Sequence, residues 1–386
     1  MLKWHVERKP WRSRPGACRH LVATVCALSV AVGPASAWAS DSSLAPPPEM
    51  PPTNSNPIEN DGTVNVPTFR LPPSPYLSPE ARAALPRSPF DPEEPMRTAI
   101  ANGTASQMRA GIAQALAPRI RELIERYPVT ITDATIAGLP AVFIRPVAQV
   151  PAGNAHKILI NLPGGAFAIA SPRGTGLLES IPLAVMARVT IVSITYRQTP
   201  ENRYPAANED FVSVYRALLK KHRAQDMGVF GCSSGGVLTA QAPGWLRKAK
   251  LPQPAAIGIF CAAADAHYWG DSKIFARPFQ ALAPLDWKRP YFDGADLSDP
   301  LVSPVVSPDL LKVFPPTLLI TATRAFDMSG AVNTHRELVK AGVDAELHVW
   351  DGLGHAFFYD INLPEAKEAF AVMTRFFSRH LALTSR

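Results

Sequence analysis

From residue 156 onward the chain alternates short runs of β-branched and aliphatic residues with segments of helical periodicity. The apolar runs are KILINLP, TIVSITYR, MGVFG, AAIGIFCAA, TLLITAT and AELHVW, and the helical segments cover about 177–188, 206–222, 235–249, 329–341 and 364–381. Strands that are apolar along their whole length are buried on both faces, and their alternation with helices is typical of a parallel sheet. The pattern therefore predicts an α/β fold with a mostly parallel central sheet and helices on both faces.

The N-terminal segment 1–39 has the pattern of a secretory signal peptide. A basic stretch precedes the apolar run LVATVCALSVAVG, which is too short to span a bilayer, and small residues predict cleavage near Ala37 or Ala39. Six basic residues and one acidic residue lie in this segment, so only about +2 of the formal net charge of +7 remains after it. We therefore expect a periplasmic or secreted protein without stable membrane insertion after cleavage, and no nucleic-acid partner.

Residues 40–100 form a proline-rich arm with almost no run that favours a helix or strand, since fifteen prolines lie between Asp41 and Ile100. Two interpretations of the arm stay open. It is a flexible tether, or it is an ordered arm that wraps the body or a partner subunit. In the second case it covers the mouth of the functional site, from its own chain or from the neighbouring subunit of a homodimer.

The predicted main domain covers 101–386 and carries two cap elements, at 101–128 and 266–312. The first is an amphipathic helix kinked near Pro118, and a hairpin, VTITDATIAG with LPAVFIRPV, follows it. The second is an irregular, aromatic and proline-rich insertion. Long insertions at this level of an α/β sheet are usually lids or pocket walls.

The stretch GVFGCSSGG matches the pattern G-x-S-x-G at Ser233. Because a short apolar run precedes it and a helical pattern follows, the match has the strand, sharp turn and helix that a nucleophile elbow needs. A serine hydroxyl also needs a base and donors for the oxyanion. His355, in a glycine-rich loop after a predicted strand, is the candidate base, and the turn of Gly164, Gly165 and Ala166 is the candidate oxyanion loop.

Three stretches resemble the α/β-hydrolase superfamily, specifically the bacterial esterases related to hormone-sensitive lipase. LPGGAF is similar to the family's HGGGF oxyanion loop, GCSSGG to its GDSAGG elbow, and YRQTPENRYPAANED to its YRLAPEHPFPAALED segment. The resemblance covers about 105–385 and implies an α/β-hydrolase fold. It also implies that the oxyanion donors are the backbone N–H groups of Gly165, Ala166 and Ser234.

Departures from the family pattern affect particular roles. Pro163 replaces the histidine of the oxyanion loop, and Cys232 replaces the aspartate of the elbow. A gap-free alignment puts Ala325 where the family has its catalytic acid, so we predict Asp327, two residues further on. Asp265 is the alternative acid, because some α/β-hydrolases take the acid from the neighbouring strand.

These residues predict a serine esterase that cleaves carboxylic esters of small molecules through a Ser233, His355 and Asp327 triad and an acyl-enzyme. The chain has no H-x-x-x-H cluster, dinucleotide fingerprint or P-loop, so we expect no metal and no cofactor. Two alternatives stay open: a lactonase or amidase on the same triad, and a non-catalytic binding protein on this fold. Two cysteines remain after the signal peptide, and we favour separate buried thiols over a disulfide.

Overall fold

The computed structural model describes residues 58–66, 70–86, 94–277 and 290–384. The predicted signal peptide, much of the predicted arm and residues 278–289 of the second cap element lie outside this part of the chain. The chain divides into two compact units, Met1–Leu71 and Pro72–Arg386. In the first unit the described residues include a turn closed by an antiparallel bridge between Ile58 and Val64.

The second unit is built on an eight-stranded sheet. Its strands are β1 (Val129–Ile136), β2 (Leu139–Pro146), β3 (Ile158–Leu162), β4 (Thr190–Ile194), β5 (Met227–Cys232), β6 (Ala256–Phe260), β7 (Thr317–Ala322) and β8 (Ala345–Trp350). Their spatial order is β1-β2-β4-β3-β5-β6-β7-β8. β1 and β2 form an antiparallel hairpin, β2 is antiparallel to β4, and all other neighbours are parallel. The predicted mostly parallel sheet is therefore confirmed.

The described helices of this unit are α1 (Pro79–Ala83), α2 (Glu94–Ala101), α3 (Ala105–Arg126), α4 (Thr175–Ala187), α5 (Ala206–Leu218), α6 (Ser234–Lys248), α7 (Ser272–Phe275), α8 (Pro308–Leu311), α9 (Met328–Lys340) and α10 (Pro364–His380). The five helices predicted after residue 156 are confirmed as α4, α5, α6, α9 and α10. Among the described helices, none combines the length and the apolar character that crossing a membrane requires.

The first two helices lie in a segment for which the sequence predicts almost none. In α1 a proline occupies the first turn, where its missing N–H costs no hydrogen bond. The side chain of Ser78 caps this helix by accepting a hydrogen bond from the N–H of Ala81. Proline-rich composition therefore did not exclude a short capped helix.

Two apolar cores cover the two faces of the sheet. The side chains of β3 alternate between them, since Leu159 belongs to one core and Ile158 and Ile160 to the other. The first core also holds buried residues of α3, α4 and α10, and the second holds those of α5, α6 and α9. Because both faces are covered, the inner strands are buried along their length and mostly apolar, as their sequences predict.

Residues 72–86 pack against the loop that follows the last strand and against the first turn of α10. Ser74 donates a hydrogen bond through Oγ to the carboxylate of Asp351. Ser78 donates from its backbone nitrogen and from Oγ to Glu365, at 2.7 Å and 2.9 Å. Residues 72–86 of the predicted arm therefore belong to the second unit.

Candidate active site

The nucleophile elbow lies between β5 and α6. Ser233 has φ of 57° and ψ of −123°, and α6 begins at the next residue. A residue with a side chain rarely adopts this conformation, and such strain is found where a structure holds a group for function. The N–H of Ser233 donates to the carbonyl of Phe260 at 2.9 Å, which anchors the turn to the neighbouring strand. The turn thus carries the serine at the carboxyl edge of the sheet.

The two glycines that flank Ser233 are required by the close approach of β3. A Cβ on Gly231 would lie 2.3 Å from the carbonyl oxygen of Leu162, and a Cβ on Gly235 would lie 1.8 Å from the same atom. Real Cβ atoms do not approach a backbone oxygen so closely. The pattern G-x-S-x-G is therefore a packing requirement at this site as well as a sequence motif.

The candidate base and acid form a close pair. His355 Nδ1 lies 2.6 Å from Asp327 Oδ1, and the Asp327 side chain is completely buried. Asp327 Oδ2 accepts a hydrogen bond from Thr321 Oγ1 at 2.6 Å, so both carboxylate oxygens have a partner. The ring of Phe326 stacks on the imidazole with centroids 4.6 Å apart. These contacts hold the imidazole ring in one orientation. Nδ1 is bonded to the carboxylate, and Nε2 is the ring nitrogen on the opposite side.

The alternative acid, Asp265, has other partners. Its Oδ1 accepts from the backbone N–H of His267 at 2.9 Å and lies 3.0 Å from His267 Nδ1. The structure thus brings Asp327 to His355 and pairs Asp265 with His267. Asp327 lies two residues after Ala325, the position where the resemblance places the acid. The loop between β7 and α9 nevertheless brings Asp327 to His355.

Two buried thiols connect the elbow to the histidine loop. Cys232 and Cys261 are both free cysteines, and their side chains are within hydrogen-bonding reach of one another. Cys261 also accepts from the backbone N–H of Ala356, the residue after His355. Burial raises the pKa of both thiols, so they are neutral packing groups. The elbow and the histidine loop therefore lie against each other through these two side chains.

The predicted oxyanion loop follows β3 and needs one correction. Gly164 was predicted as part of this loop, but its N–H donates to Glu179 Oε1 at 2.8 Å and is therefore not free to bind an oxyanion. Gly165 and Ala166 both have positive φ, of 146° and 52°. Within the described residues, the N–H groups of Gly165, Ala166 and Ser234 have no protein acceptor.

The segment that resembles YRLAPEHPFPAALED supports the oxyanion loop from outside. Thr199 donates its N–H to the carbonyl of Phe167 at 2.8 Å. Gln198 binds Ala170 at both its backbone N–H, 2.7 Å, and its carbonyl, 2.9 Å. Arg109 of α3 adds a hydrogen bond from Nε to the carbonyl of Ala168 at 2.6 Å. Hydrogen bonds from this segment and from α3 therefore hold the backbone of the oxyanion loop in place.

A buried glutamate that the sequence analysis missed lies beneath the same loop. Glu179, in α4, accepts hydrogen bonds from the N–H of Gly164, the hydroxyl of Tyr359 at 2.6 Å and the amide of Asn161 at 2.7 Å. Burial raises the pKa of Glu179 to about 7, against the lowering effect of these donors. The signal in the sequence was a single carboxylate within the apolar helix segment TGLLESIPLAVMA.

No group of three or more His, Cys, Asp or Glu side chains in the described part of the chain has the arrangement of a metal site.

Comparison with known proteins identifies the family. A family model described as alpha/beta hydrolase fold matches residues 159–359. An acetyl-hydrolase of Streptomyces hygroscopicus is 30% identical over 232 residues, which are 58% of this chain and 77% of that protein. The crystal structure of esterase E25 superposes with a TM-score of 0.69 at 30% identity, covering 82% of this chain and 98% of that one. An esterase of the bacterial hormone-sensitive lipase family gives a TM-score of 0.60 at 26% identity, covering 66% and 85%.

The fold, the elbow and these likenesses together define a class of hydrolase. The chain belongs to the α/β-hydrolase family, among its hormone-sensitive-lipase-like esterases. It is a carboxylic ester hydrolase, as the resemblance in its sequence predicts.

Replacing Gly235 with alanine is expected to abolish ester hydrolysis, because the new Cβ would collide with the Leu162 carbonyl and displace the elbow. Gly111→Ala is the matched control: it lies in α3 with no atom within 4 Å of its added Cβ. Alanine there should stabilise the helix by up to about 1 kcal/mol and leave activity unchanged. Urea unfolding and an ester assay measure both variants, and full activity of Gly235→Ala would contradict the packing requirement.

Proposed function

We propose that this esterase acts through a triad of Ser233, His355 and Asp327 and forms an acyl-enzyme on Ser233. The observation that carries the proposal is the fully buried carboxylate of Asp327 bonded to His355 Nδ1, at the sheet edge where the strained Ser233 turn lies. This is the arrangement that orients an imidazole to act as a general base.

In the proposed reaction the oxygen of Ser233 attacks the ester carbonyl carbon while His355 Nε2 takes the hydroxyl proton. The carbonyl electrons move to oxygen, and the N–H groups of Gly165, Ala166 and Ser234 bind the resulting oxyanion. Collapse of the tetrahedral intermediate expels the alcohol, which receives the proton from His355. Water then repeats these steps on the acyl-enzyme and releases the acid and free Ser233.

The role of Asp327 in this sequence is electrostatic and geometric. Its charge stabilises the imidazolium that forms in each step, and its hydrogen bond keeps the proton on Nδ1 so that Nε2 faces the serine. The hydrogen bond from Thr321 holds the other carboxylate oxygen, so the acid cannot rotate away from the histidine.

The triad predicts a clear ranking of three variants. Ser233→Ala should lose all labelling by a fluorophosphonate probe and lower kcat/KM by roughly 10⁴-fold or more. Asp327→Asn should lower kcat by roughly 10³-fold to 10⁴-fold, because it changes the tautomer of His355. Asp265→Asn is the matched control and should retain nearly full activity.

Probe labelling and steady-state ester kinetics measure this ranking. Equal labelling of wild type and Ser233→Ala would exclude the proposed nucleophile. A severe kcat loss confined to Asp265→Asn would move the acid to Asp265.

We further propose that the acyl group of the substrate is short. The relative from Streptomyces hygroscopicus is named an acetyl-hydrolase, and we carry that acyl class to this chain as part of the proposal. On a series of p-nitrophenyl esters from acetate to decanoate, kcat/KM should be highest between acetate and butyrate. A maximum at decanoate, or faster turnover of lactones or anilides in the same assay, would contradict this substrate class.

Export of the protein is also part of the proposal, supported by the basic stretch and apolar run of residues 1–39. Protein recovered from the periplasmic fraction or the medium should begin at Trp38 or Ser40 when its N-terminus is sequenced. A charge in the apolar run, as in Leu28→Arg, should leave uncleaved protein in the cytoplasm. Recovery of wild-type protein with residues 1–39 intact in the cytoplasm would contradict export.

A further inference from the structure

The carboxylate of Glu179 has hydrogen-bond donors on both oxygens. Oε1 accepts from the N–H of Gly164 at 2.8 Å and from the hydroxyl of Tyr359 at 2.6 Å. Oε2 accepts from Nδ2 of Asn161 at 2.7 Å and from the N–H of Cys232 at 3.3 Å. The side chain is buried from solvent, so these groups replace the water that would otherwise solvate it.

The donors favour an ionised carboxylate. The N–H groups of Gly164 and Cys232 cannot accept a hydrogen bond. The amide of Asn161 is held with its nitrogen toward Glu179, because its oxygen accepts from Ser193 Oγ at 2.7 Å. Among the four partners, only the hydroxyl of Tyr359 could turn to accept a proton from a carboxylic acid. Protonation of Glu179 therefore disturbs this arrangement.

The four partners belong to different parts of the site. Gly164 begins the oxyanion loop, Cys232 immediately precedes Ser233, and Tyr359 lies four residues after His355. Gly164 is also enclosed by these groups: an added Cβ would lie 2.7 Å from the Cys232 carbonyl, 3.0 Å from the Tyr359 hydroxyl and 3.2 Å from Glu179 Oε1. One carboxylate thus touches the three segments that the proposed mechanism needs in register.

We propose that Glu179 is a positioning residue of the esterase site. Its ionised carboxylate fixes the oxyanion loop, the elbow and the histidine loop relative to one another. This inference rests on the proposed function, because the three segments matter together only if the triad and the oxyanion loop act together. Glu179 does not touch the reacting atoms, and it acts through Gly164, Cys232 and Tyr359.

The proposal also explains the departure at the elbow. The resemblance leads us to expect an aspartate where this chain has Cys232, and the structure brings a carboxylate from α4 to the backbone N–H of that same residue. A neutral thiol thus takes the elbow position, and the negative charge lies on Glu179, where it also holds the first peptide of the oxyanion loop. Because the backbone of Gly164 is held in place, the positions of the next two N–H groups, of Gly165 and Ala166, are restricted as well.

The titratable groups that face Glu179 carry no positive charge. They are Tyr359 from the histidine loop, Tyr196 after β4, Cys232 from the elbow and, one step further, Cys261 after β6. Burial raises the pKa of each of these groups, so all four are neutral near pH 7. Among the described residues, the charge of Glu179 is therefore balanced by hydrogen bonds alone.

Activity and stability should respond to this carboxylate in opposite directions. Burial raises the pKa of Glu179 from 4.5 to about 7. The folded protein therefore holds this proton more tightly than the unfolded chain, and the contribution to stability is complete below pH 4.5 and is lost as the pH rises through about 7. The positioning role needs the ionised form, so it appears over the same pH range in which stability falls.

The first test replaces Glu179 with glutamine, whose amide nitrogen faces two donors and leaves at least one of them without an acceptor. We expect kcat to fall by about 10-fold to 100-fold, since weakened oxyanion binding lowers kcat, with KM little changed. Glu365→Gln is the matched control, because Glu365 is also a buried glutamate and binds Ser78 rather than the site. It should keep the wild-type kcat, and circular dichroism and Tm confirm that both variants fold.

The second test uses the pH profile, which a merely structural role would not move. The Tyr359 hydroxyl lowers the pKa of Glu179, so Tyr359→Phe should shift the acid limb of kcat to higher pH. In the double variant Tyr359→Phe with Glu179→Gln this shift should disappear. The wild-type Tm should fall between pH 4.5 and 7 relative to that of Glu179→Gln, as the raised pKa requires.

Two results would overturn the positioning role. One is a Glu179→Gln enzyme with wild-type kcat at every pH. The other is a Tyr359→Phe acid limb that is unmoved, or that moves equally in the Glu179→Gln background. An inactive wild type, or an active Ser233→Ala, would instead contradict the proposed triad, so the two failures are distinguishable.

Discussion

The carbonyl oxygen of Leu162 occupies the space that a side chain would need at either glycine beside Ser233. Because β3 ends against the elbow in this way, the turn after β5 has to be tight, and Ser233 is held at a positive φ. The same strand end starts the oxyanion loop at the next residues. The close approach of this one carbonyl oxygen to Gly231 and Gly235 thus fixes where the nucleophile lies and where the oxyanion donors begin.

Hydrogen bonds hold the oxyanion loop from two sides. On the outside Thr199, Gln198 and Arg109 bind the backbone at residues 167–170, and on the inside Glu179 binds Gly164. A loop fixed in this manner needs no reordering when charge develops on a substrate oxygen, and such preorganisation is the main source of rate in oxyanion stabilisation. This arrangement buries the carboxylate of Glu179 with no cation among its described neighbours, and burial therefore disfavours its charged form.

The parallel part of the sheet and its helices could be predicted because the inner strands read as mostly apolar runs and the helices between them have helical periodicity. Ser233 and His355 could be proposed from the sequence because their neighbouring glycines carry a local signal. Asp327 was harder, since loop geometry and not residue spacing brings it to His355. Glu179 and the occupied N–H of Gly164 could not be derived, because a single glutamate in an apolar helix does not tell which backbone groups lie opposite it.

The contacts of residues 72–86 bear on how the chain reaches this state. Ser74 meets Asp351 across 277 positions of sequence, and Ser78 meets Glu365 across 287. A polypeptide made from its N-terminus therefore has to carry this short segment without its partners until almost the whole molecule has been synthesised. Asp351 leads into the loop that carries His355, so this loop receives its support from Ser74 only after the two distant segments have come together.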